Sequence, residues 1–305
     1  MPINTLEYAK LFQTELDKQI AQQATSGWME SNAGQVIYNG GNEIKIPDVV
    51  VQGLADYDRD TGFVQGSVTY KYQTHTLTQD RGRTFQLDSM DVNETNFGAS
   101  AANVMSEFQR LQVIPEIDAY RYSLIAAKAE AAGKSRTYTP AESTIVTELF
   151  KDIFDLADMG VDLSQLVITI AFPAYGVLTG NTQIQKRIDV GQFAQGGINL
   201  QIKMLDGIPL IPVSSNRMKA AYVFNDGETA GQEAGGFVPA VDAKSVNWII
   251  SPRSAPIGIS KTDKVRIFTP DENQKADAWK LDYRKYHDLI IPDNKTAAFR
   301  VTTGG

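Results

Sequence analysis

The chain contains no cysteine. That single absence removes disulfides, thiolate nucleophiles and cysteine-bound zinc, and it leaves the compartment open. Histidine is nearly as scarce. Only His75 and His287 occur, and neither falls in an HxH or HExxH spacing, so a zinc centre is not expected. No GxSxG elbow is present. A basic surplus is missing too: the net charge is -7, whereas a protein that grips DNA through its phosphates normally carries excess Lys and Arg. Long apolar runs are absent. The stretch Leu166 to Phe172 is typical, strand-length and far too short to span a bilayer. Residues Met1 to Lys18 are polar and charged, unlike a secretory signal.

What remains is an ordinary globular composition with an unusual layout. The 305 residues are 42% hydrophobic and 21% charged, enough for two domains and a sizeable core. Tyr8, Phe12, Leu16 and Ile20 predict a helix over residues 5–24, stopped at Thr25-Ser26-Gly27. Val36 to Tyr38 and Ile44, Ile46 predict a hairpin within an N-terminal arm. Residues 48–78 read as a long two-stranded loop with a polar tip at Asp56 to Gly62. Its returning limb places Val68, Tyr70 and Tyr72 on one face and Thr69, Lys71 and Gln73 on the other. Neither face is apolar enough to define a core, and such a hairpin is marginal unless something covers it.

A rod follows. Asp91 to Glu94 fits a capping box, and Phe97, Ala101, Val104, Phe108 and Leu111 predict its buried stripe. Pro115 predicts a kink, and Gly133 a stop. A second box, Thr139 to Glu142, predicts a helix buried through Ile145, Leu149, Ile153, Leu156 and Ala157. Leu166 to Ile170 reads as a central strand, and Ile208 to Val213, with two prolines, as an edge strand. Helices on a mixed sheet make residues 134–240 a domain, and the strand-like pieces after Lys244 are expected to return to the first domain. The expected class is α+β. A bare hairpin leading into a long rod asks for neighbouring copies of the same chain.

Few constellations carry chemistry. Gly133-Lys134-Ser135 matches the end of a phosphate loop, but Lys128 stands where its first glycine is needed, and a helix precedes it. Asp56, Asp58 and Asp60 have calcium-loop spacing, yet Ser67 occupies the glutamate position, so no metal is expected. Asp80-Arg81-Gly82-Arg83 has two readings: a β-bulge at Gly82 among solvated charges, or an ionic node between subunits. Asp118, Tyr120 and Arg121 read as the rod's wet face. His75 reads as a plain sheet residue. No catalytic residue, metal ligand or cofactor site is expected, and the chain is read as a non-enzyme.

The run Gln79 to Phe85, then Asp88, Asp91 and Glu94-Thr95, then Phe108-Gln-Arg110 and Val113 to Tyr122, resembles major capsid proteins of tailed bacteriophages. Leu205 to Val213 with Ser215, Arg217 and Met218, and Tyr286-His-Asp288 before Asp293-Asn-Lys295, extend the resemblance over about residues 50–300. It implies the HK97-type fold: an N-terminal arm over 1–46, an extended loop and spine helix over 47–133, an axial domain over 134–240, and completion of the peripheral domain over 241–305. It further implies a shell subunit forming hexamers and pentamers around double-stranded DNA, without sequence-specific DNA binding and without a membrane. Expected partners are other copies, a separate scaffolding protein and a portal. The expected location is the virion, after assembly in the host cytoplasm. A tail or adhesion module is the alternative. Candidate intersubunit contacts are Asp80, Arg81, Arg83 and Arg59 for charge, and Tyr57, Phe63, Tyr70 and Tyr72 for burial.

Overall fold

The computed structural model describes residues 24–38, 43–89, 104–182, 184, 187–195 and 198–305. The helix expected over 5–24 and the capping box with Phe97 and Ala101 lie outside them. In chain order, β1 (Ile37–Tyr38), β2 (Glu43–Val51), β3 (Val68–Thr76) and β4 (Gln79–Asp88) precede helix α1 (Ile114–Ala131). Then come β5 (Ser135–Thr137), α2 (Ile145–Asp158), β6 (Leu166–Ala171), α3 (Phe172–Gly180), β7 (Ile188–Gln195), β8 (Ile198–Leu205) and β9 (Ile208–Val213). A short ribbon, β10 (Tyr222–Phe224) with β11 (Phe237–Pro239), leads to β12 (Val246–Pro252), β13 (Ile257–Phe268), β14 (Ala278–Ile290) and β15 (Arg300–Thr303).

The rod is helical from Val104 onward, with a π turn at Gln109–Val113 immediately before α1. Pro115 has no N–H to donate and its ring crowds the carbonyl one turn back, so the wider turn absorbs the break that was expected as a kink. The expected stripe needs correction. Leu111 is 54% exposed, while Asp118 and Arg121 are fully buried and Tyr120 nearly so. A helix enclosed on nearly all sides has no wet face to carry its charges, so those charges must be paired. At the end of α1, Lys134 N–H donates to Ala129 O at 2.7 Å, and Gly133 takes φ 67°, the stop that was expected.

One sheet has seven strands in the order β5-β15-β12-β6-β9-β8-β7, with α2 and α3 packed on it. Strand β6 is buried throughout, as a central strand should be. Helix α2 begins at Ile145, so the Thr139–Glu142 box does not cap it, although Ile145, Leu149, Ile153 and Leu156 are its buried side. Strand β9 is internal, contrary to the edge reading. It runs parallel to β6 and antiparallel to β8, yet the β6 ladder begins only at Leu210 and the β8 ladder spans only Lys203–Leu205. Pro209 falls before one ladder and Pro212 beyond the other, so each lacks a neighbour on one side. Asp206 and Gly207, at φ 49° and 83°, form the tight turn between β8 and β9.

The second sheet is β13-β14-β4, and its inner face packs through Phe85, Leu281, Tyr283 and Val265 on Met105, Phe108 and Val113 of the rod. The C-terminal segment is therefore divided. Strands β13 and β14 join β4 as expected, whereas β12 and β15 lie inside the seven-stranded sheet. No bulge interrupts β4: its register with β14 is continuous from Gln79 to Asp88. Gly82 is there for close approach, since an added Cβ would lie 2.7 Å from Tyr283 O. Among the described residues, no helix is long and apolar enough to cross a membrane.

Candidate assembly surface

Strands β2 and β3 pair antiparallel without a break, from Glu43 opposite Thr76 to Val51 opposite Val68. The root of this hairpin is buried. Ile44, Ile46 and Leu77 pack with Ile257, Ile259, Tyr286 and Ile290. Asp48 accepts from Gln73 Nε2 and Asn294 Nδ2, both at 3.2 Å, which pins the root to the segment before β15. Toward the tip the cover disappears. Val49, Val50 and Val51 are 51%, 59% and 64% exposed, Val68 is 70% exposed, and Phe63 89%. So much exposed apolar surface on a projecting ribbon makes it a candidate contact surface.

The tip is ordered from within. Asp58 Oδ1 accepts from the Asp60 and Thr61 N–H groups at 2.7 and 3.2 Å, and those bonds hold its carboxyl below the ordinary value. Gly62, at φ 83°, closes the turn back to Asp58. Tyr57 and Phe63 meet at a tilt with centroids 4.8 Å apart, and Tyr70 and Tyr72 meet edge-on at 5.1 Å. The expected contacts Tyr57, Arg59, Phe63, Tyr70 and Tyr72 thus sit together on one exposed projection.

The other three sit elsewhere. Arg81 forks onto Glu116 of α1 at 2.7 and 3.3 Å and also donates to Asn225 O and Gly236 O. Asp80 takes a two-pronged contact from Arg284 at 2.8 and 2.5 Å. Arg83 donates to Glu233 O at 3.3 Å. Arg81 is spent inside the chain, tying β4, the rod and the ends of the loop between β10 and β11.

Sequence reasoning missed a buried lock behind the hairpin. The 3-10 segment Gly27–Gln35 packs mainly on β13, and just before it Thr25 and Ser26 meet Asp118 of α1, which receives five hydrogen bonds. The donors are the N–H and hydroxyl of Thr25, the N–H and hydroxyl of Ser26, and Arg217 Nη1 at 3.1 Å. Arg121 donates to Ser26 O at 3.1 Å and to Glu30 Oε1 at 2.6 Å. Next to it Tyr120 O–H donates to Asp288 at 2.6 Å, and burial together with that carboxylate pushes the phenol pKa up. His287 is buried beside this group with no partner for Nδ1, and burial among Arg121, Lys285 and Arg81 drives its pKa well down. No local signal announced it, because Thr25 and Ser26 lie about ninety residues from Asp118 in sequence.

Neither a family model nor a curated protein sequence matches the chain. Solved structures do. The capsid structure of the cyanophage P-SCSP1u superposes with a TM-score of 0.59 at 11% identity, covering 88% of this chain and 85% of that one. A structure from Gordonia phage Cozz gives 0.57 at 13% identity, covering 92% and 86%. A chain of the bacteriophage PhiM1 mature capsid gives 0.53 at 11% identity, covering 88% and 83%. This is a phage capsid fold. The match runs over most of both chains. At such identities it speaks for the capsid fold alone.

Proposed function

We propose that this chain is the principal shell subunit of a tailed-phage head. Copies assemble as hexamers and pentamers that close around double-stranded DNA, and the subunit contributes packing and no catalysis. The observation that carries this reading is the uncovered hairpin on a capsid fold: its valines, Tyr57, Phe63, Tyr70 and Tyr72 are exposed in the single chain. A specific contact between subunits needs roughly 1,000 Å² or more of total buried surface. A ribbon of this length with both faces open is suited to supply it. The DNA is confined, consistent with a net charge of -7. A separate scaffolding protein and a portal complete the head, and the virion is the subunit's final location.

The test is electron microscopy of the purified protein, with a variant lacking residues 55–67. Closed shells or capsomers are expected from the intact chain. The deletion should leave the subunit fold and its melting unchanged, because the tip adds nothing to the core, and it should impair assembly. Tubes or isolated trimers from the intact chain would favour a tail component instead. Equally stable shells from the deletion would refute the role given to the hairpin.

A further inference from the structure

A cavity of about 520 Å³ lies between the inner face of the sheet β13-β14-β4 and the rod, and the glycine-rich loop between β10 and β11 forms its third wall. That volume suits a small molecule. Directly opposite residues share a face, so the register fixes the sheet wall. Arg83 is opposite Tyr283, Arg81 opposite Lys285, and Gln79 opposite His287. Arg83 and His287 therefore stand about 13 Å apart along the strands. The rod contributes Phe108, Val113 and Ile117, and the loop contributes Gly227, Gly235 and Gly236.

Most of the charge bordering the cavity is already matched. Arg81 is held by Glu116, Lys285 by Asp263 at 2.7 Å, and Asp226 by the N–H groups of Glu228 and Thr229. Arg83 is the exception. It is exposed, and its guanidinium donates only to the Glu233 carbonyl oxygen, at 3.3 Å from both terminal nitrogens. Among the described residues, no carboxylate pairs with it. Cβ atoms on Gly227 and Gly235 would come within 3.2 and 3.4 Å of its Nη1, so glycine there leaves the guanidinium room. At the other end His287 is 3% exposed, and its Nδ1 has no hydrogen-bond partner among the described residues. A buried polar atom left so is costly, and a ligand hydroxyl would satisfy it. Burial among cations keeps the imidazole uncharged at neutral pH, so this end takes a hydrogen bond and not a second anion.

We propose that this cavity binds a small aromatic monocarboxylate, with its carboxylate on Arg83 and a hydroxyl at its far end on His287. The inference stands apart from the shell-subunit reading. A guanidinium takes a carboxylate through two parallel hydrogen bonds. One negative charge is the limit, because Glu116 and Asp226 also border the cavity and would repel a dianion such as a phosphate ester. Between the two ends the wall is aromatic. Phe108 meets Phe85 edge-on at 4.9 Å and Tyr283 at 5.8 Å, an arrangement that a ligand ring can extend.

Calorimetric titration of the full-length chain with para-hydroxyphenylpropionate tests this. Saturable binding is expected. Phenylpropionate, which lacks the hydroxyl, should bind several-fold more weakly, and tyramine, with a cation in place of the carboxylate, should not bind. Arg83→Gln should weaken the hydroxy acid by at least about tenfold. It should leave melting of the ligand-free chain unchanged, since Arg83 is exposed and makes only those long contacts. Ala234→Trp, on the exposed part of the loop, should plug the cavity and abolish binding. His287→Phe should erase the difference between the two acids while both still bind. No saturable heat from the intact chain at millimolar acid, equal binding of tyramine, or an affinity unchanged in Arg83→Gln would each overturn the proposal.

Discussion

Mild acid should weaken the isolated chain through one residue. His287 is 3% exposed, faces Arg121, Lys285 and Arg81, and stands edge-on to the Tyr120 ring at 5.7 Å. Burial and those three cations hold its folded pKa well below the ordinary 6.5. The unfolded chain therefore takes up the proton first. Stability is unaffected above pH 6.5 and falls as pH drops below it, with a slope of about 1.4 kcal/mol per unit. Down to pH 5 the loss is at most about 2 kcal/mol. His75, half-buried and lowered by desolvation, adds a smaller amount in the same direction. Glu30, whose burial would raise it but whose neighbours Arg121 and Lys285 win, sits below 4.5, so its own contribution is lost only under stronger acid. Since the chain has two histidines, the assay is decisive: urea melts of wild type, His287→Phe, and His75→Phe with His287→Phe at pH 7 and pH 5. His287→Phe should flatten most of the difference, and the double variant the rest. A wild type equally stable at both values, or a slope unchanged in His287→Phe, would refute the reasoning.

Three further outcomes follow from single side chains. Asp118→Asn keeps the shape but turns an amide toward backbone N–H donors and strands Arg217, so thermal or urea melting should show a loss of about 3–5 kcal/mol. Early proteolysis within residues 24–35 should accompany it. Gly82→Ala forces a Cβ to within 2.7 Å of Tyr283 O, and the β4–β14 pairing should lose about 1–3 kcal/mol, read by melting and by amide exchange along β4. Leu111→Asp should cost the dispersed subunit less than about 0.5 kcal/mol, because that side chain is 54% exposed; a large drop in melting temperature would place it in a core.

Local patterns were legible wherever one force acted alone. The alternation of β2 and β3, the apolar stripe of α2, the turn at Asp206-Gly207 and the helix stop at Gly133 each follow from neighbouring residues. Errors came where distant residues decide. Pro209 and Pro212 mark an edge only if their neighbours are unknown, because ladders that stop short on one side let prolines sit inside a sheet. Strand β12 pairs with β6 about eighty residues away in sequence, and β15 joins through β12 about fifty away, beyond any periodicity. Asp118 and Arg121 read as solvated because charge on a helix normally faces water. Nothing local reveals that Thr25, Ser26 and Arg217 converge on the same spot.

The exposed hairpin was the more legible half, for a physical reason. A buried site is assembled by the fold and hides its partners in sequence, whereas a surface meant for another molecule leaves its need unmet within the chain. Tyr57, Phe63, Tyr70 and Tyr72 looked uncovered in sequence and are about half exposed or more in the structure. Arg81 shows the opposite case. Its fork suited an intersubunit contact equally well on chemical grounds, and only Glu116, brought to it by the rod, shows where its hydrogen bonds go.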